Sequence, residues 1–256
     1  MAISNQIISR VLAELGERAD SLMIFGSAAR GDQQPHSDID ILQVSNRKTS
    51  SYKVNDLSIS VYDKSSLSSL AKQGSLFILH LKSEGLIIRD RQGIVEECLN
   101  FYVPPKSYEP YRSNLRVCLS LLDIGEEKYL ANWEKFNSVG IFIFRTVLFI
   151  ASAETGKSTF SAFNLAKERG EPYSEALRLR TAKKPDWPLF ASLRSLLETE
   201  LKGKAFNPTG SIEAFLCNVA ASCPLAVSLG IRLLSHSDDV SDYDLFIAGP
   251  KEGSTQ

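Results

Sequence analysis

Residues 22–42 read LMIFGSAARGDQQPHSDIDIL, and the order of residue types along this stretch decides the fold. Leu22 to Phe25 is a short apolar run that stops at Gly26-Ser27, the pattern of a strand entering a tight turn. Ala28, Ala29 and Arg30 continue from the turn as a short helix. Glycine lets a backbone approach a ligand closely. The free N–H groups at a helix start donate to phosphate oxygens, and the Ser27 hydroxyl adds a further donor. Residues 31–37, Gly-Asp-Gln-Gln-Pro-His-Ser, form a loop, and Ile39 to Val44 forms a second strand. Asp38 and Asp40 stand two apart where that strand begins. Alternation puts both carboxylates on one face, with Cα atoms roughly 6.5–7 Å apart. Carboxylates so placed can share divalent ions about 3.5–4 Å apart, the arrangement of two-metal phosphoryl transfer. Carboxylate ligands beside a phosphate substrate favour Mg²⁺.

Taken in order, these features resemble the signature of the DNA polymerase β-like nucleotidyltransferase superfamily: Gly-Ser, about ten residues, then Asp-x-Asp. Here the signature is Gly26-Ser27 followed by Asp38-Ile39-Asp40, flanked by Phe25, by Arg30-Gly31 and by Ser37. The resemblance is specific within residues 22–42 and extends more weakly over residues 1–100. It implies that Gly26, Ser27, Arg30 and Ser37 bind the nucleotide and that Asp38 and Asp40 hold two Mg²⁺ ions. It further implies a nucleoside triphosphate donor, with ATP favoured, that passes its nucleoside monophosphate to an acceptor hydroxyl and releases pyrophosphate.

The family pattern adds a third acidic residue on a later strand, as metal ligand or as general base. The matching strand is Asp56-Leu57-Ser58-Ile59-Ser60-Val61-Tyr62. Alternation puts Asp56 with Ser58 and Ser60, opposite Leu57, Ile59 and Val61, in a half-buried strand. Asp56 is therefore a catalytic candidate. Alignment by the Val61-Tyr62 ending instead gives the acidic position to Ser58, which leaves a base supplied by the helical half or the substrate, or a loss of turnover. Asp63 falls on the apolar parity and reads as the N-cap of the next helix.

Working outward, Ile3, Ile7, Ile8, Val11, Leu12 and Leu15 have helical spacing, with Ser4 or Asn5 as cap. The Ser/Lys/Asn stretch after Val44 reads as a polar connection, helical patterns cover Leu67-Leu70 and Phe77-Leu81, and Leu86 to Ile88 reads as a strand. Val103-Pro104-Pro105-Lys106 marks a linker. Beyond it helices are expected over 110–130, 132–153, 159–169, 189–202 and 211–221, with a strand-like run at 242–248. The fold class is α+β: a mixed-sheet nucleotidyltransferase domain over 1–103, an all-α bundle over 108–235 that selects the acceptor, and a C-terminal strand or tail over 236–256. The second half is similar in arrangement to bacterial two-domain members such as antibiotic nucleotidyltransferases.

The chain has 256 residues, 43% of them hydrophobic and 23% charged, which excludes a disordered, collagen-like or disulfide-scaffold protein. With 29 Lys+Arg against 30 Asp+Glu the net charge is -1, so there is no global attraction to nucleic acid or to anionic membranes. Any polyanion contact needs a local basic face. Lys167, Arg169, Arg178, Arg180, Lys183 and Lys184 supply one, a candidate docking region for tRNA. Cys98, Cys118, Cys217 and Cys223 lack a C-x-x-C pair, and with three histidines they do not make a zinc site. The most apolar stretch, Val139 to Ala153, is interrupted by Arg145 and falls short of the roughly 20 residues of a membrane span, so a core helix in a cytoplasmic protein is expected, with Arg145 ion-paired inside its domain.

Glu154 to Thr159 looks like a phosphate-binding loop, but Ala151 stands where that loop needs glycine. A helix closed by Gly156, followed by one capped by Ser158 or Thr159, is the reading, with Lys157 left to face the nucleotide. Ser241-Asp242-Tyr243-Asp244 echoes Ser37 to Asp40 without a Gly-Ser turn before it and reads as an acidic edge strand or tail. His36 reads as a loop residue. The expected acceptor is a small hydroxylated molecule such as an antibiotic, with tRNA or a protein hydroxyl as alternatives.

Overall fold

A computed structural model describes residues 3–16, 19–33, 37–46 and 49–235. The expectations for His36 and for the 236–256 tail, including Asp242-Tyr243-Asp244, lie outside the described residues. The chain divides into two units: residues 3–106 together with Ser158–Ser161, and Ser107–Lys157 together with residues 162–235.

The first unit runs α1 (Asn5–Leu15), β1 (Ser21–Phe25), α2 (Gly26–Arg30), β2 (Ile39–Val44), β3 (Ser50–Val54), β4 (Leu57–Tyr62), α3 (Lys64–Lys72), α4 (Leu76–Glu84), β5 (Leu86–Asp90) and α5 (Ile94–Asn100). The sheet order is β3-β4-β2-β1-β5. β1 pairs antiparallel with β2 and with β5, β4 pairs antiparallel with β3, and β2 runs parallel to β4. The sheet is thus mixed, with the β3–β4 hairpin laid beside β2.

Alternation sorts the strands onto two covered faces. Leu22, Ile24, Ile41 and Ile59 pack with Val11 and Leu15 of α1. Met23, Phe25, Leu42 and Tyr62 pack with Leu67 of α3 and Phe77 of α4. Because β4 lies inside the sheet with helices on both faces, all six of its residues are buried, and the half-buried strand expected from its alternation is corrected: Ser58 and Ser60 are covered too. Ser50 to Val54, in the polar stretch after Val44, shows no apolar alternation and yet forms β3. It is an edge strand, paired on one side only and exposed or half-buried along its length.

The caps follow the sequence. Ser4 Oγ accepts from Gln6 N at the start of α1. The Asp63 carboxylate accepts from Ser66 N at 2.8 Å and caps α3. Hydrogen bonds from Ser65 and Ser66 hold its pKa down at about 2.

The second unit holds α6 (Glu109–Leu119), α7 (Glu126–Ala131), α8 (Trp133–Glu154), α9 (Ala162–Arg169), α10 (Tyr173–Ala176), α11 (Trp187–Leu201), α12 (Ile212–Val219) and α13 (Pro224–Leu234), with 3₁₀ turns at Ser120–Leu122 and Leu177–Thr181. The single helix expected over 110–130 is broken, since the 3₁₀ turn and Gly125 divide it into α6 and α7. Gly156 closes α8 with a φ of 73°, as expected. The next helix starts only at Ala162, so Ser158 and Thr159 do not cap it, and Ser158–Ser161 belongs to the first unit. α8 has 22 residues, more than the apolar run suggested, and is long and apolar enough to cross a membrane by length and composition alone. Most of it is buried inside the unit, as a core helix is.

Candidate active site

The β1–β2 register sets Phe25 opposite Asp40, so the turn that follows β1 lies beside the acidic start of β2. Gly26 takes a φ of +71°, a conformation glycine adopts without penalty. A Cβ added there would lie 2.7 Å from Asp40 Oδ2. The Asp40 carboxylate therefore rests against the bare backbone of Gly26, in space any other side chain would occupy. Ser27 is half-buried in the first turn of α2, and Gly31 in the left-handed region closes that helix. Ser37 closes the loop ahead of Asp38, its carbonyl accepting from Gln33 Nε2 at 3.4 Å.

Asp38 stands one residue before β2, with its side chain 43% exposed and its Oδ2 2.7 Å from Lys53 Nζ. Asp40 pairs with Ser58 across the parallel β2–β4 ladder, and Ser58 pairs with Lys53 across the β4–β3 hairpin. Directly paired residues share a face. Asp40, Ser58 and Lys53 thus form one transverse row over three strands, and Asp38 is tied to its end.

Ser58, not Asp56, is the residue beside Asp40. The parity that grouped Asp56 with Ser58 and Ser60 assumes a strand running through residue 56. Val54 pairs with Leu57, so Asn55 and Asp56 are instead a two-residue turn, with Asn55 at a φ of 55°. Asp56 turns its carboxylate to α1, where Arg10 Nη2 donates to both oxygens at 2.9 and 2.8 Å. Its carbonyl accepts from Ile39 N at 2.8 Å. We expect Asp56→Asn to leave nucleotidyl transfer within about twofold and stability within about 0.5 kcal/mol, as for an exposed ion pair. Steady-state rates and a urea titration check both.

Arg30 works inside the unit. Its Nη1 donates to Glu84 Oε2 at 2.6 Å and its Nε to Asp32 Oδ2 at 3.1 Å. Glu84 also accepts from Phe160 N at 2.8 Å and lies 3.2 Å from His80 Nε2. Asp32 accepts from Ser161 Oγ at 3.2 Å. The His80 ring stacks on Phe160 at 4.5 Å and meets Phe25 edge-on at 5.6 Å. Burial alone would raise the Glu84 carboxyl, but His80, the Phe160 N–H and Arg30 outweigh it and hold the pKa below its ordinary value. Glu84, His80 and Phe160 were missed as parts of this region. The available signal was a His and a Glu four apart in a helix that opens on the apolar run Leu76 to Leu79.

The remaining candidates lie in the second unit. Lys157 pairs with Glu168 at 3.4 Å, and Arg145 lies 5.8 Å over the Phe149 ring. Within the basic cluster, Arg169 pairs with Glu200 and Arg178 with Glu175.

Residues 6–84 match the family model of the nucleotidyltransferase domain. That region is a nucleotidyltransferase domain of the polymerase β-like superfamily. The nucleotidyltransferase-like protein from Exiguobacterium sibiricum 255-15 is similar at 12% identity, over 92% of this chain and 96% of its own, with a TM-score of 0.31. No curated protein matches.

Among the described residues of the nucleotidyltransferase domain and the rest of the chain, no three His, Cys, Asp or Glu side chains gather as a metal site. The hard-oxygen candidates on this strand are the carboxylates of Asp38, one residue before β2, and of Asp40, whose register partner is Ser58. Together with the Asp40 seat on Gly26, that set fits a divalent ion of the Mg²⁺ class whose other ligands come from phosphate and water. We expect Gly26→Ala to lower transfer by at least about a hundredfold, because Asp40 must move, and to cost about 1–2 kcal/mol of stability from the left-handed backbone. Rates and a urea midpoint on the same preparation separate the two effects.

Proposed function

We propose that this chain transfers a nucleoside monophosphate from a nucleoside triphosphate to an acceptor hydroxyl and releases pyrophosphate. The observation that carries the reading is the Asp40 carboxylate resting on Gly26, next to Ser27 and two residues after Asp38. Gly26 and Ser27 bind the terminal phosphates through backbone N–H groups and the Ser27 hydroxyl. Asp38 and Asp40 would hold Mg²⁺ beside the bound phosphates. That ion would supply positive charge against the negative charge that develops during phosphoryl transfer. The acceptor oxygen bonds to the α-phosphorus as the bond to the bridging oxygen breaks, and pyrophosphate carries that electron pair away. Ser58 offers no carboxylate for the acceptor proton, which then passes to the acceptor's own basic group or to water.

ATP, hence transfer of AMP, is the donor we favour. The balanced charge of the chain suits a small hydroxylated acceptor such as an antibiotic. Arg169 and Arg178 are engaged by acids, which leaves less basic surface for the alternative, tRNA. A second reading, a nucleotide-binding module without turnover, draws support from an uncharged residue, Ser58, as the register partner of Asp40 on β4. Incubation with each of the four NTPs and Mg²⁺, followed by mass spectrometry of antibiotics, bulk tRNA and the protein itself, tests the proposal. A nucleotide-sized increment on one acceptor supports transfer. ATP binding with no pyrophosphate release under any acceptor supports the module.

A further inference from the structure

The row that carries Asp40 ends in a cation, Lys53, and the residue between them, Ser58, is uncharged. Among the described residues of this row and at its end, two carboxylates stand with one ammonium, and these three leave a single net negative charge toward a divalent ion. Lys53 lies on the edge strand β3 with its side chain 63% exposed, and its Nζ contacts Asp38 Oδ2 at 2.7 Å. An exposed ion pair of this kind is weak and exchanges readily.

We propose that Lys53 competes with the divalent cation for Asp38 and thereby couples cation binding to nucleotide binding. The inference rests on the nucleotidyltransferase reading above. A cation that takes Asp38 must displace the Lys53 ammonium and then repels it, because both are positive. The displaced ammonium needs another anion. The triphosphate held at Gly26-Ser27 supplies several negative charges on the same side of the sheet. Without nucleotide, Lys53 stays on Asp38 and cation affinity is low. With nucleotide, Lys53 has a second partner and the cation enters. The coupling is reciprocal, so the cation tightens the nucleotide by the same factor. Lys53 is a positioning residue in this scheme, acting through Asp38.

The experiment is a Mn²⁺ titration of the full chain, by calorimetry or by the electron paramagnetic resonance signal of the free ion. It is run with and without α,β-methylene ATP, on the wild type and on Lys53→Met, Lys53→Arg and Asp38→Asn. We expect Lys53→Met to bind Mn²⁺ about tenfold more tightly without nucleotide, the factor a nearby unit charge exerts on a divalent ion at water-like screening. Added salt should narrow that gap. Lys53→Arg should keep the wild-type value, and the tightening of Mn²⁺ by the analogue should shrink in Lys53→Met. Equal Mn²⁺ affinity in the wild type and Lys53→Met would overturn the inference while leaving the reading intact, provided that Asp38→Asn weakens Mn²⁺. If Asp38→Asn changes nothing, the cation site and the reading fall together.

Discussion

Asp40→Ala is expected to lower nucleotidyl transfer by at least about a thousandfold, equivalent to ~4 kcal/mol of transition-state stabilisation. Asp38 and Asp40 are the two carboxylates of the proposed site, and Ser58 at the neighbouring register position cannot replace either. Removing one leaves the cation with a single protein carboxylate beside a triphosphate. Asp40→Asn keeps the shape that rests on Gly26 and removes only the charge, so the same loss there assigns the effect to electrostatics rather than packing. Asp38→Asn should behave alike in rate while leaving the urea midpoint nearly unchanged, because its side chain is 43% exposed. Comparable rates for Asp40→Asn and wild type would contradict the assignment.

The second large effect is on stability. Glu84→Ala is expected to destabilise the first unit by about 3 kcal/mol, the lower end for breaking a buried ion pair. The Glu84 side chain is 10% exposed and receives Arg30, the Phe160 N–H and the neighbouring His80. Truncation leaves Arg30 with Asp32 alone and strips the Phe160 N–H of the carboxylate it donates to. Glu84→Gln keeps an acceptor and should cost less. The folded carboxyl titrates below its ordinary value, so the unfolded chain takes up the proton first as pH falls. The Glu84 contribution is therefore complete above the ordinary glutamate value of about 4.3 and fades as pH drops through the folded value beneath it. Urea midpoints from neutral pH downward should show that component in the wild type and not in Glu84→Gln. An unchanged midpoint in Glu84→Ala at neutral pH would show that the cluster adds nothing.

The Gly26-Ser27 turn was legible because its determinants are local. Apolar Leu22 to Phe25, Gly26 at positive φ, and the alternation from Asp38 through Asp40 all act within a few residues of one another. Asp63 as a cap was legible for the same reason. Alignment by the Val61-Tyr62 ending singled out Ser58, and Ser58 is the register partner of Asp40. Asp56 falls outside the strand because parity carries no information about where a hairpin turns, and the turn that Asn55 opens runs on through Asp56, so β4 begins one residue later. β3 was hidden by its edge position, where no burial demands an apolar pattern. The Glu84–Phe160 contact joins residues 76 apart in sequence, and no local pattern announces such a return of the chain. Lys53 was invisible as a partner of Asp38 until β3 existed to bring it there.

The most direct test of the nucleotidyltransferase site is pyrophosphate release from each NTP with Mg²⁺ across the acceptor panel, run side by side on the wild type and Asp40→Asn. The site predicts Mg²⁺-dependent release with a nucleotide-sized mass gain on one acceptor in the wild type, and neither in Asp40→Asn. Release from Asp40→Asn at the wild-type rate would contradict it.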